Sequence, residues 1–282
     1  TDLLITGYDI IFFWVARMAW SAMEFMGDVP FYQCFIHGLV RDETGKKMSK
    51  SQGNVIAPQE IIKNFGAEIL RIWVSAEDYR DDIRISKEIL NRLTEAYRKI
   101  RNTSKFLLSN LFDFDHQDYS GQLQEIDRWA MCRLQGLITK VTRAYENYEF
   151  HEVFHSIHNF CVVDMSSIYL DILKDRLYTA KADAVERRAS QWVLSEVLSV
   201  LTRLMAPVLT FTAEEVWGYI PAKGKGHGAE SREQRAERAT TVFLASFPEV
   251  DERFIDAELD ERWKRLLTLR DEVNKALEIK RA

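Results

Sequence analysis

Cysteine, proline and glycine are all scarce in this chain: its 282 residues contain 3, 5 and 12 of them. Cys34, Cys132 and Cys161 lie far apart, with no Cys-x-x-Cys pair. That excludes a disulfide framework and a cysteine-based zinc site, and it predicts three reduced core residues in a cytoplasmic protein. So few prolines and glycines argue against many short strands and for long helices. No apolar run is long enough to cross a bilayer. The most hydrophobic N-terminal stretch, Ile10 to Trp20, is short and carries Arg17. No secretory leader is visible. Excess positive charge is also missing: 38 Lys and Arg against 43 Asp and Glu leave a formal charge of −5. A uniformly basic nucleic-acid coat is thereby excluded, but a local basic face is not.

What remains is an ordinary globular composition, 46% hydrophobic and 29% charged. At about 150 residues per domain it predicts roughly two domains. The first runs over residues 1–85. Leu3–Thr6 reads as a strand turned by Gly7, Ile10–Met26 as a buried helix, and Phe31–Val40 as a second strand. Residues 41–54 are polar, basic and punctuated by glycine, which predicts an exposed loop. Pro58–Phe65 reads as a short helix ended by Gly66. The chain starts at Thr1 on what looks like a strand entered in mid-domain, so a piece of a longer polypeptide is expected.

From residue 86 to 282 the periodicity is helical throughout. Ile85, Ile89, Leu93, Ile100, Leu107 and Leu111 share one face, with Ser86 as N-cap. A second helix runs from Ile126 to Tyr148 and a third, kinked, from Val153 to Ile172. A fourth, Ala184–Met205, stops before Pro207. Thr212-Ala-Glu-Glu215 reads as a capping box, Lys223–Thr241 as a charged loop and Leu259–Lys280 as an exposed last helix. The succession is an all-α bundle.

One string carries chemistry. Lys46-Lys47-Met48-Ser49-Lys50-Ser51 packs positive charge into the exposed loop, and Gly53 and Asn54 let the backbone turn after it. A mobile lysine loop of this kind suits a polyanion such as a nucleoside triphosphate. Solvated surface charge is the plainer alternative.

Lys47-Met48-Ser49-Lys50-Ser51-x-Gly53-Asn54 resembles the signature loop of class I aminoacyl-tRNA synthetases of the isoleucine, valine, leucine and methionine group. Gly66-Ala-Glu-Ile-Leu-Arg-Ile-Trp73 is similar to the segment that follows it there. Tyr97–Thr103, Tyr148–Val153, Tyr169–Lys181, Met205-Ala-Pro-Val-Leu209 and Thr212–Trp217 resemble isoleucyl-tRNA synthetases in particular. Thr6–Met18 looks more like valyl-tRNA synthetases.

The resemblance implies a mainly α chain. Residues 1–85 would be the C-terminal remnant of a Rossmann-like α/β catalytic domain, and residues 86–282 an all-α anticodon-binding helix bundle. The expected partners are ATP with Mg²⁺, isoleucine and tRNA(Ile), with valine as the second choice of amino acid. No structural metal, no membrane and a monomer are expected. Lys47 and Lys50 would stabilise the departing pyrophosphate. Met48, Ser49, Ser51, Gly53 and Asn54 would complete the ATP loop. Gly7 and Asp9 would meet the aminoacyl-adenylate, with Thr6 beside them.

The family's other signature, His-x-Gly-His, is absent, since Ile36-His37-Gly38 does not supply it. The chain is therefore expected to be inactive alone. Arg92, Arg98, Lys99, Arg101 and Lys105, then Lys174, Arg176, Lys181, Arg187 and Arg188, are candidate RNA-facing cations. A non-catalytic tRNA-binding module with a vestigial loop is the alternative from another class, and a generic helical interaction domain is a third.

Overall fold

A computed structural model describes residues 1–49, 51, 53–220 and 240–281. Two compact units divide it. One comprises Thr1–Glu95 with Glu149–His151, the other Ala96–Tyr148 with Glu152–Ala282.

In the first unit, β1 (Leu3–Gly7) pairs in parallel with β2 (Gln33–His37), Gly7 opposite His37. Parallel strands need a crossover, and it is helical here. Tyr8–Ile10 forms a 3₁₀ turn, Ile11–Val15 a π turn and Ala16–Met26 the helix α1. Gly27, at φ +67°, ends α1 in the left-handed conformation that favours glycine. The sequence reading of Ile10–Met26 as a buried helix is corrected here. No residue of α1 is buried, and Phe25 is 78% exposed. An all-round apolar helix needs neighbours on every side, and a two-stranded sheet covers only one.

After β2 the chain makes a tight passage at Gly38. A Cβ there would stand 2.1 Å from the Asp81 carbonyl oxygen, so only glycine fits. β3 (Val40–Arg41) then pairs in parallel with β4 (Ile83–Arg84). Asp82 locks this pairing. It accepts from the Leu39 amide at 2.7 Å and from Arg41 Nε at 2.5 Å, and those donors hold its carboxyl below the usual range. α2 (Pro58–Phe65) starts with proline in the first turn, where no amide is missed. Gly66, at φ +91°, separates it from α3 (Ala67–Ala76). Ile61, Ile69, Ile72, Trp73 and Ile85 make the small core of this unit. α4 (Lys87–Ser109) is capped by Ser86, whose Oγ accepts from the Ile89 amide at 3.2 Å.

The second unit is helical. α5 (Glu125–Glu146) packs on α9 (Val185–Met205). Between them come α6 (Phe150–Asn159), a π segment Phe160–Tyr169, and the short α7 (Leu170–Ile172) and α8 (Lys174–Thr179). The π segment falls within Val153–Ile172, the third helix of the sequence reading. α10 (Thr210–Tyr219) and a last helix, Ala257–Arg281, follow. Trp129, Leu134, Val141, Met165, Leu194, Leu198 and Leu204 are closed off from water. Cys161 is buried too, which pushes its thiol up to about 12, whereas Cys34 and Cys132 are only half-buried. The three cysteines are thus not all core residues.

Two further readings change. The capping box at Thr212 does not form. α10 begins at Thr210, and the buried Thr212 hydroxyl instead meets Tyr97 Oη at 2.9 Å. A box does form at the start of α5, between Gln124 and Asp127. The charged loop expected at Lys223–Thr241 lies, apart from Thr240 and Thr241, outside the described residues.

Candidate functional site

The lysine loop grows out of β3 as a small hairpin. Arg41 and Lys47 bridge antiparallel, and the Asp42 amide donates to the Lys46 carbonyl at 3.0 Å. Gly45, at φ +85°, turns the tip. Asp42 organises the interior. Its Oδ1 accepts from the Thr44 amide (3.0 Å), the Thr44 hydroxyl (2.7 Å) and the Lys46 amide (2.9 Å), and its Oδ2 accepts from Asn54 Nδ2 at 2.8 Å. These donors, Asn54 foremost, lower the Asp42 carboxyl to about 2.

Asn54 closes the loop from the other end. Its Oδ1 accepts from the Ser49 amide at 2.9 Å, and its Nδ2 also reaches the Lys47 carbonyl at 3.4 Å. Ser49 Oγ and Ser51 Oγ are 3.1 Å apart. Met48 is half-buried, and Gly53 sits at φ +66°. Lys50, expected as the second catalytic lysine, lies outside the described residues.

Of the residues expected at the N-terminal turn, Thr6 and Gly7 are buried at the end of β1. Asp9 follows on the 3₁₀ turn, partly open to solvent. A Cβ on Gly7 would stand 2.9 Å from Asp9 Oδ1, so glycine leaves room for that carboxylate. Lys47 Nζ stands 3.1 Å from Asp9 Oδ2. Two residues 38 positions apart, each singled out from sequence, therefore meet as an ion pair. Arg41, Asp42 and Asp82, which hold the hairpin, were missed. The string Asp42-Glu-Thr-Gly45 carried a usable signal, because aspartate followed two residues later by a hydroxyl residue and then glycine favours an Asx turn.

The candidate RNA-facing cations divide sharply. On α4, Lys99 and Lys105 are exposed, while Arg101 makes a two-pronged pair with Glu215 at 2.8 and 3.0 Å. The stretch Lys174–Arg188 is corrected. Arg176 is bound to the fully buried Asp127 at 2.9 Å. Arg187 is itself buried against Asp113 at 2.8 Å, and Arg188 donates to the Asp113 carbonyl. Lys174 pairs with Asp171 at 2.7 Å, leaving Lys181 as an exposed member of the set. These arginines anchor the fold and do not form a basic face. No helix among the described residues is long and apolar enough to cross a membrane.

Residues 127–282, more than half the chain, match the family model described as the anticodon-binding domain of tRNA ligase, and the chain belongs to that family. Residues 1–86 match the model of class I tRNA synthetases for isoleucine, leucine, methionine and valine. More particularly, the chain is 48% identical over 283 residues to an isoleucine–tRNA ligase of Syntrophotalea carbinolica, covering 99% of this chain and 29% of the relative. An isoleucine–tRNA ligase of Moorella thermoacetica is also 48% identical, over 98% of this chain and 29% of its own length. The chain thus spans under a third of these curated relatives. Among solved structures, a ternary LeuRS–tRNA–LeuAMS complex from Agrobacterium radiobacter K84 aligns with TM-score 0.69 at 22% identity, over 92% of this chain and 30% of that one. A Mycobacterium tuberculosis methionyl-tRNA synthetase with methionyl-adenylate aligns at 0.65 and 22%, over 77% and 43%. At this identity the two structures establish the shared fold.

Proposed function

We propose that this chain is part of an isoleucine–tRNA ligase. It supplies the triphosphate-facing loop of the activation site and a helical surface for tRNA(Ile). The observation that carries this reading is the Lys47–Asp9 pair, which sets the lysine loop over the Gly7–Asp9 turn. The isoleucine relatives support the amino acid, and valine is not favoured by them.

In the activation step the isoleucine carboxylate attacks the α-phosphorus of ATP. The bond to the bridging oxygen breaks, and pyrophosphate leaves. Negative charge gathers on the bridging, β and γ oxygens. The Lys47 ammonium, on a flexible stem, leaves Asp9 and neutralises that charge, and Lys50 acts beside it. Asp9, released, accepts hydrogen bonds from the adenylate. Thr6 and Gly7 shape the wall beneath it. Mg²⁺ arrives with the ATP phosphates, a pairing that needs only one or two carboxylates from a protein. The exposed lysines Lys99 and Lys105 of α4 meet tRNA phosphates. The reading includes action as a monomer in the cytosol.

The test uses the full-length protein. Lys47→Ala and Lys50→Ala should each slow isoleucine-dependent ATP–pyrophosphate exchange by about 10²–10³-fold, the cost of losing one oxyanion-stabilising group. Affinity for tRNA(Ile) should hold within about twofold. Offering valine in place of isoleucine decides the amino acid. An unchanged exchange rate, or equal losses in exchange and tRNA binding, would sink the assignment.

A further inference from the structure

The hairpin carries a second, unassigned device at its base. Asp42 lies outside the Lys-Met-Ser-Lys-Ser string, five residues before Lys47, yet it is the hub of the loop's hydrogen bonds. One carboxylate oxygen takes three donors from the turn Thr44–Lys46, and the other takes Asn54. Asn54 in turn grips the Lys47 carbonyl and the Ser49 amide. The ring runs Asp42, Asn54, Ser49 and Lys47, then back through the Arg41–Lys47 bridge to Asp42. It ties the backbone of Lys47 to that of Ser49 while the Lys47 side chain stays outside.

We propose that Asp42 is a positioning residue for the phosphate-facing loop, acting through Asn54 to hold the Lys47–Ser49 backbone at the height from which Lys47 reaches the turn at Asp9. This rests on the activation-site reading above. A loop with loose ends would sample many orientations, and the lysine would reach the developing charge in only a fraction of them. Geometry of this kind acts on the rate of the chemical step more than on amino-acid binding.

Asp42 has no other visible task. It neighbours Arg41, but Arg41 binds Asp82 and the Gly45 carbonyl instead. Its carboxylate is fully ionised at working pH, since its donors hold it at about 2, so proton transfer is not its role. The fold of the unit is held elsewhere, by the passage at Gly38 and by Asp82.

The experiment is steady-state ATP–pyrophosphate exchange by the full-length protein. Asp42→Ala should lower kcat by about 10- to 100-fold, the effect of losing charge-assisted bonds that fix a catalytic group. KM for isoleucine should hold within about twofold. Asp42→Asn keeps an acceptor for the turn and should fall between Ala and wild type. Asn54→Ala breaks the ring from the other side and should resemble Asp42→Ala, and the double variant should be no slower than the worse single one. If Asp42→Ala fails to fold, Asn54→Ala and Asp42→Asn carry the same test.

Lys47→Ala separates the two claims. If Lys47→Ala is slow while the Asp42 and Asn54 variants stay within about twofold of wild type, the positioning role is wrong and the activation site stands. Additive losses in the double variant, or a rise in KM for isoleucine with unchanged kcat, would also overturn it. If Lys47→Ala itself is unaffected, the activation-site reading falls, and this inference falls with it.

Discussion

In the unit of residues 1–95 the aromatic side chains of Phe12, Phe13, Trp20 and Phe25 face outward, whereas in the unit built on α5 and α9 Trp129, Leu134, Leu194 and Leu198 are shut away from solvent. The two units treat charge in the opposite way. In the first, Lys47 pairs with Asp9 at the surface, and Asp42 is held by Thr44, Lys46 and Asn54 within the hairpin. In the second, Asp127 is completely buried and bound by Tyr169, Arg176 and its own helix start. Asp113 is treated similarly. Burial works against its charge, yet Arg187 and Gln191 hold the carboxyl below the usual range. The core of the helical unit therefore encloses charge as well as apolar side chains. In the other unit the aromatic residues around α1 and the Lys47–Asp9 pair lie at the surface, beside a smaller core of Ile61, Ile69, Ile72 and Trp73. Apolar composition and charge composition alone would have placed the two units in one category.

The largest expected effect breaks the helical side of this contrast. Asp127→Ala removes the anion between Arg176 and Tyr169, leaving a largely enclosed guanidinium without its carboxylate. Helical unfolding in urea should show a loss of about 3–5 kcal/mol, the usual result of removing one member of a buried pair. A loss no larger than that of an exposed ion pair would mean that the buried network is not what holds α5 to its neighbours.

A matched pair sharpens the apolar side. Leu198→Ala empties a fully buried site and should cost about 2–5 kcal/mol. Phe25→Ala deletes more atoms but from an exposed site, and should change stability by no more than about 0.5 kcal/mol. Differential urea melts of the two variants decide it. A Phe25 cost equal to that of Leu198 would show that α1 is covered in solution.

The smallest effect concerns acid. Asp42 sits at about 2 in the fold against an ordinary 3.8. A lowered carboxyl stabilises the folded hairpin above the ordinary value and loses that contribution as pH falls through the folded one. The hairpin should therefore stay intact at pH 5 and loosen between about pH 4 and 2. Carboxyl ¹³C shifts of Asp42 titrating near the ordinary value would contradict the hydrogen-bond hub.

Much of the helical unit was legible because its signals are local. The three-to-four spacing of Ile100, Leu107 and Leu111, or of Leu134, Leu137, Ile138 and Val141, marks a face that must be covered whatever covers it. Ser86 caps its helix as read, since the bond spans three residues. The lysine loop was legible as a string. Its hub was not, because the bond from Asn54 to Asp42 spans 12 residues and no periodicity records it. Arg176, Arg187 and Arg188 were misread as RNA-facing for the same reason. Their partners Asp127 and Asp113 lie 49, 74 and 75 residues away, and a cation in a sequence carries no mark of what neutralises it.

By itself the amino-acid sequence determined most of the helical segments and the Ser86 cap, and it carried the lysine string with its family resemblance. All of these are set within a few residues by backbone geometry and side-chain type. Only the tertiary structure decided which apolar faces are covered, which charges are enclosed, and that Lys47 stands at Asp9 with Asp42 and Asn54 beneath the loop. Those outcomes depend on distances between residues far apart in the chain, and long-range contact is what folding creates.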